Sequence, residues 1–399
     1  MFTITNATIL KGSELSLKKE NIVVDDGKII EINKNACEGK IIDCEGCIVS
    51  PTFLNGHVHI GDSIIKDEGY GLTLDEMVKP PNGVKHVALS NANDEDVIEA
   101  MRDSMWEMVN TGTTHFIDYR EGGVEGVKLL REASKDIPIK PIILGRDDSF
   151  YGDDPDLNEV KKAISRILKV ADGIAPSGFG EIKTEVANLI TSECRKQKKI
   201  SSIHVAESEE AQLNSLAKYG ESEVKRAIDS NFNQIVHGTN LKCNDLDLIG
   251  ESEINLCVCP RANATLDVGI APLSKLIQHG IEPILGSDNL MLNSPNMLSE
   301  LEFTIKLIAV SQNYNINPQK LLKMATTNVL SSSINNIINK SSVAENNPAE
   351  FIVFKQKSKN PYLSIINRSN AKDILYIINK DMFYKYWYII SYKGGYDYV

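Results

Sequence analysis

From Pro51 onward the chain repeats one alternation: a short apolar run rich in β-forming residues, then a stretch with helical periodicity. The runs are 53–59 (FLNGHVH), 113–119 (TTHFIDY), 140–146 (KPIILGR), 173–179 (GIAPSGF), 200–206 (ISSIHVA), 234–238 (QIVHG), 254–259 (INLCVC) and 282–288 (EPILGSD). Strands joined through helices lie parallel in one sheet, and eight such units in series predict a (β/α)8 TIM barrel. Most of the runs are nearly all apolar, as strands buried on both faces must be. Between them, Val97, Ile98, Met101, Met105, Met108 and Val109 mark one face of a helix over 94–110, with Asn93 or Asp94 as its N-cap. Val160, Ala163, Ile164, Ile167 and Leu168 do the same over 156–171. Segments 184–196, 209–229, 272–279 and 297–313 behave similarly.

The two ends of the chain read differently. Residues 2–9 alternate, 21–32 hold Asp26-Gly27 between two β-rich runs, and 40–50 add another strand. Runs 350–356 and 374–379 return to β character, with no helix expected between them. The expected class is α/β: a barrel over 51–344, with a small β-sandwich domain built from 1–50 plus 345–399. The Ser- and Asn-rich stretch 332–348 reads as a loosely packed connection.

Composition narrows the function. A formal net charge of −11 argues against nucleic-acid binding, which needs a basic face. Residues 1–30 lack a signal-peptide pattern, and no apolar stretch reaches the roughly 20 residues that span a bilayer. The expectation is a cytoplasmic protein with no membrane partner. Seven cysteines fit reduced thiols better than a disulfide framework. The cluster Cys37, Cys44 and Cys47 holds one CxxC without a second to complete a zinc site.

Barrel active sites form where strands end, so those ends carry the functional argument. Strand one ends in His57-Val58-His59, and residues two apart on a strand point the same way. Strand five ends with His204, strand six with His237 and strand eight with Asp288. Only seven histidines exist in the chain, and four fall on this one rim. Imidazole and carboxylate ligands suit one divalent metal, Zn2+ first, with Fe2+ or Mn2+ as alternatives. His115, His279 and His86 do not fit the pattern. Glu207 leaves the barrel three residues after His204 and could shuttle a proton. The competing reading makes it a helix cap beside Glu209 and Glu210.

The set His57-x-His59, His204-x-x-Glu207, His237 and Ser287-Asp288-Asn289 resembles the amidohydrolase superfamily. It is most similar to the mononuclear aminohydrolase branch of cytosine, guanine, S-adenosylhomocysteine and methylthioadenosine deaminases and related chlorohydrolases. Cys259-Pro260-Arg261-Ala262-Asn263 and the stretch Pro272 to Asn289 resemble that branch's CPxSN and LGSDN run, with Ala262 where Ser is usual. The segment 342–351 lacks the usual glycine turn, and strand four offers no lysine for a bridging carbamate, Lys183 lying past Gly180 and Glu181. The resemblance implies that His57, His59, His204 and Asp288 hold the metal. It implies that Asp288 acts as general base, that Glu207 protonates a ring nitrogen, and that His237 polarises the attacking water or the leaving-group side. The implied reaction is hydrolytic deamination of a purine- or pyrimidine-like heterocycle by metal-activated hydroxide, releasing ammonia. Hydrolysis of a cyclic amide, a formimino group or a halide is the alternative, and a non-catalytic scaffold the remote one. Relatives of this kind are often dimers or larger, so a homodimer or higher oligomer is the partner expectation. Substrate-contact candidates are Lys85, Arg120, Arg146 and Asn289, with Arg120 and Arg146 open to a second reading as rim salt bridges to the Asp and Glu beside them. The connection from Gly61 to Asn93, with Lys66-Asp67, Pro80-Pro81 and Lys85-His86, has the length of a lid.

Overall fold

The eight predicted strand positions form one curled parallel sheet. In the computed structural model, which describes residues 1–73, 76–77, 82–242, 244–380, 382–385 and 388–391, the strands are Phe53–His59, Thr113–Arg120, Lys140–Gly145, Gly173–Ile174, Ile200–Val205, Gln234–His237, Asn255–Val258 and a split last strand, Ile284–Leu285 and Asp288–Asn289. Pro80-Pro81 and Cys243 fall outside the described residues. The split strand brings the sheet back on itself. Ile284–Leu285 pairs with the seventh strand, while Asp288 and Asn289 pair with Val58 and His59 of the first. The architecture is therefore α/β and TIM-barrel-like. Gly286 permits the return: a Cβ there would stand 2.8 Å from both the backbone nitrogen and the Cβ of His57, inside van der Waals contact, so strand eight reaches strand one only through glycine.

Helices Asp94–Asn110, Leu157–Ile167, Thr184–Lys196, Leu273–Gln278 and Met297–Ser311 match their predicted faces. The first buries Met101, Met105 and Met108 and starts at Asn93, whose side chain accepts from the Asp96 amide. Three expectations fail locally. The fourth strand stops at Ile174, because Pro176 removes a ladder donor. The helix over 209–229 is two, Glu209–Tyr219 and Glu223–Asp229, divided where Gly220 takes the left-handed conformation and Ser222 caps the second. Residues 332–348 are not loose: Ile334, Ile338 and Val343 are fully buried.

A helix, Pro361–Arg368, does lie between the two C-terminal β runs, which corrects the expectation of none. It buries Ile365 and Ile366 and packs on helix Met297–Ser311 of the barrel layer. The runs themselves, Glu350–Lys355 and Ile374–Asn379, pair antiparallel, and Glu350–Lys355 also pairs with Cys47–Pro51. They belong to a seven-stranded sheet, and a four-stranded sheet holds Phe2–Thr5, Asn21–Asp25, Lys28–Asn33 and Lys40–Asp43. Phe2, Ile4, Ile22 and Val24 of the smaller sheet share one apolar cluster with Ile9, Val49, Phe351 and Val353 of the larger, the relation of two sandwiched sheets. Asp26 and Gly27 turn the hairpin with φ of 44° and 70°, as a type I′ turn requires. Among the described residues, no helix is long and apolar enough to cross a membrane.

Candidate active site

Pleating of the first strand turns His57 and His59 to one side, and their ring centroids lie 4.9 Å apart. His204 sits 5.0 Å from His57 and 5.6 Å from His59, and His237 lies 5.4 Å from His204. Asp288 Oδ1 is 3.0 Å from His57 Nε2 and 3.7 Å from His59 Nε2. Donor atoms of His57, His59 and His204 all fall within 4.8 Å of one another, as do those of His57, His237 and Asp288. The strand ends thus bring together all five rim residues that the sequence singles out. Ala206, His237 and Asp288 adopt left-handed backbone with φ of 53°, 77° and 61°. Such residues cost about 1–3 kcal/mol each and persist where their surroundings dictate them, which is common at functional sites.

The donor chemistry fits a cation. Burial lowers His59 to about 3 and His237 to about 4, and holds His204 well below the usual imidazole range. Burial would push Asp288 up, but its contact with His57 outweighs this and keeps the carboxyl well below the ordinary range. An ionised, buried carboxylate among neutral imidazoles is a strong set of metal ligands. Two of the outer nitrogens, those of His204 and His237, are supported. His204 Nδ1 lies 2.9 Å from the Ser177 carbonyl oxygen, so its Nε2 is left for a ligand. Asn263 Nδ2 lies 3.0 Å from His237 Nδ1 and donates to it, leaving the His237 proton on Nε2.

Glu207 is not the helix cap: Ser208 is, accepting from the Ala211 amide. Glu207 Oε2 instead lies 3.6 Å from His237 Nε2, with 23% of the side chain exposed. Burial, reinforced by Asp288, Glu223 and Glu181, pushes its carboxyl up to about 8. One carboxyl of the site is thus pushed up and another, Asp288, is held low.

Lys85, Arg120 and Arg146 also meet, on Glu121, the carboxylate beside Arg120. Arg120 Nη2 binds Glu121 Oε2 at 2.7 Å, Arg146 binds Glu121 Oε1, and Lys85 Nζ lies 2.5 Å from Glu121 Oε1 and 2.7 Å from Asp62 Oδ2. Their charges face protein carboxyls, as in rim salt bridges. Glu121 directly follows strand two, so the strand-end rule could have found it. Gly61 makes room for the group: a Cβ there would sit 2.2 Å from Arg120 Nη2. Asn289 is spent locally, its Oδ1 accepting from the Met291 amide at 2.9 Å. Ala262 is buried in an apolar cluster, and Lys183 pairs with Asp153. His115 is buried beside Thr114, whereas His279 is exposed on its own helix. Cys37, Cys44 and Cys47 are free thiols.

A model described as the Amidohydrolase family matches residues 48–381. A protein of Methanothermobacter thermautotrophicus, whose name places it provisionally among the aminohydrolases, is 44% identical over 381 residues, covering 95% of this chain and 98% of that one. A 5'-deoxyadenosine deaminase of Methanosarcina acetivorans is 27% identical over 332 residues, 78% of this chain and 74% of that one. Among solved structures, guanine deaminase from C. acetobutylicum superimposes with a TM-score of 0.78 at 17% identity, covering 94% of this chain and 97% of that one. This likeness shows the shared fold.

Proposed function

The chain belongs to the amidohydrolase family, hydrolases of non-peptide C–N bonds, and from that premise we propose that it is a hydrolytic deaminase releasing ammonia from a purine- or pyrimidine-like ring. The observation that carries this reading is Glu207: a carboxyl 3.6 Å from His237 Nε2 that burial pushes up to about 8, in one site with Asp288, which is held low. Simple amide hydrolysis could proceed with Asp288 alone. Protonating a ring nitrogen next to the attacked carbon calls for a second, acidic group.

In this mechanism His57, His59, His204 and Asp288 would hold one divalent ion, and the nitrogen and carboxylate donors suit Zn2+. When bound, the ion supplies a water acidified toward a pKa of about 7. Asp288 takes a proton from the attacking water and later gives it to the departing amino group. Glu207 delivers its proton to the ring nitrogen, which accepts the electron pair displaced by attack, and is reprotonated by the second proton of the water when the added hydroxyl becomes the carbonyl. The His237 Nε2–H donates to the oxygen that becomes the new carbonyl. The free thiols fit a reducing, cytoplasmic setting.

Ammonia release from zinc-loaded protein tests the reading, using 5'-deoxyadenosine, methylthioadenosine, adenosine, guanine and cytosine. Glu207→Gln should cut kcat by about 10²–10⁴-fold on the substrate found. Full activity in that variant, or a zinc-loaded enzyme that frees ammonia from none of these rings, would overturn it.

A further inference from the structure

His59 differs from the other imidazoles in what stands behind it. Its Nδ1 lies 3.4 Å from Glu121 Oε1 and 3.4 Å from Lys85 Nζ. A neutral imidazole that offers Nε2 to a metal carries its proton on Nδ1. Lys85 has no lone pair to receive that proton, so Glu121 Oε1 is the acceptor in place. Outer partners of this kind set ring orientation and ligand basicity.

Glu121 is held from two sides. Arg120 and Arg146 come from the ends of strands two and three, so the barrel itself positions them. Lys85 comes from helix Val84–Asn91, in the connection after strand one, and only 2% of it is exposed. Its ammonium stands among Asp62 Oδ2, Glu121 Oε1 and His59 Nδ1. Donor atoms of those three residues lie within 4.8 Å of one another, a grouping that could itself hold a metal ion. Lys85 fills that space with a tethered charge. Asp62 is fully buried, and Lys85 is the cation against it.

We propose that Lys85 is a positioning residue for the metal site: its ammonium takes the place of a second cation among Asp62, Glu121 and His59, and so keeps Glu121 where it orients the His59 ring. This rests on the metal reading of the preceding subsection. It explains why a cluster with two adjacent sets of metal-type ligands serves one ion. Without the ammonium, Asp62 and Glu121 repel, Glu121 shifts toward the two arginines, and His59 loses its acceptor.

Zinc affinity, measured by competition with a chromophoric chelator, tests the proposal without recourse to activity. Lys85→Met keeps length and packing but not charge, and should bind Zn2+ about 10–100-fold more weakly. Glu121→Gln should weaken binding to a similar degree. The double variant should be little worse than the weaker single, because both act through one contact. Glu207→Gln should bind as the unaltered protein does. Folding is checked by circular dichroism, and if Lys85→Met does not fold, Glu121→Gln carries the same test. Folded variants with unaltered zinc affinity, or with only a lower melting temperature, would overturn the positioning role and leave the deaminase reading intact. An unaltered protein that takes up no zinc would overturn both.

Discussion

Around Asp288 stand four imidazoles, three of which, His59, His204 and His237, burial holds below their ordinary range, and the carboxyl itself is held low. Around Glu121, three cations, Lys85, Arg120 and Arg146, face three carboxyls, Asp62, Asp118 and Glu121. Both clusters are buried, both lie on one rim, and they touch at His59. Among the described residues no lysine or arginine pairs with Asp288, whose partners are His57 and His59, so the first cluster leaves room for a bound cation. The second balances itself. Burying an ion costs several kcal/mol unless it is paired, and the comparison teaches that pairing separates a ligand site from its support. Charged residues at strand ends are therefore not equivalent, although they look so in the sequence.

The largest test of this division is Asp288→Asn. It removes both a ligand and the proposed base, and should reduce kcat/KM for ammonia release by about 10⁴-fold or more. A loss under tenfold would put the chemistry elsewhere. Next comes the balanced cluster. Arg146→Met leaves Glu121 short of one cation and should destabilise the fold by about 3–5 kcal/mol in urea titration. A raised KM with unaltered stability would return Arg146 to the role of substrate contact and break the comparison.

A third test uses Glu300, whose Oε1 accepts from the Arg261 amide while its Oε2 has no hydrogen-bond partner. Burial pushes its carboxyl up to about 7. The folded state then keeps a proton that the unfolded chain releases above its ordinary 4.5. Its share of stability is fully present below pH 4.5 and is lost as pH rises toward 7. Glu300→Gln should flatten that slope in metal-free protein and gain on the order of 2–3 kcal/mol at pH 8. An unchanged slope would show that Glu300 is ionised throughout. The smallest effect is expected at Asn289, where alanine removes one hydrogen bond to the Met291 amide. That should cost about 1 kcal/mol, with KM unaltered.

The barrel was legible because its signal is periodic. Eight apolar runs of strand length, spaced by helical faces, leave few arrangements, and the five rim residues follow from where strands stop. Less regular features were hidden. Pro176 shortens the fourth strand, and Gly220 divides a helix that periodicity alone runs together. Helix Pro361–Arg368 was missed between two β runs, although Asn360 caps it and Pro361 opens it. Glu207 could be read two ways until Ser208 was seen to cap the next helix. Glu121, Asp62 and Lys85 were hidden for another reason. Their meaning lies in one another, and residues from three separate segments converge only in the folded chain. The same holds for Arg120 and Arg146, for which the sequence left substrate contact and rim salt bridge both open; their pairing with Glu121 shows only in the folded chain.

The central claim is one metal ion held by His57, His59, His204 and Asp288, and metal content measures it most directly. Protein reconstituted with Zn2+ and freed of excess should hold one ion per chain by elemental analysis, and a folded His57→Ala/His59→Ala variant should hold none. No bound zinc in the unaltered protein, two ions per chain, or retention of the ion by the double variant would contradict the account.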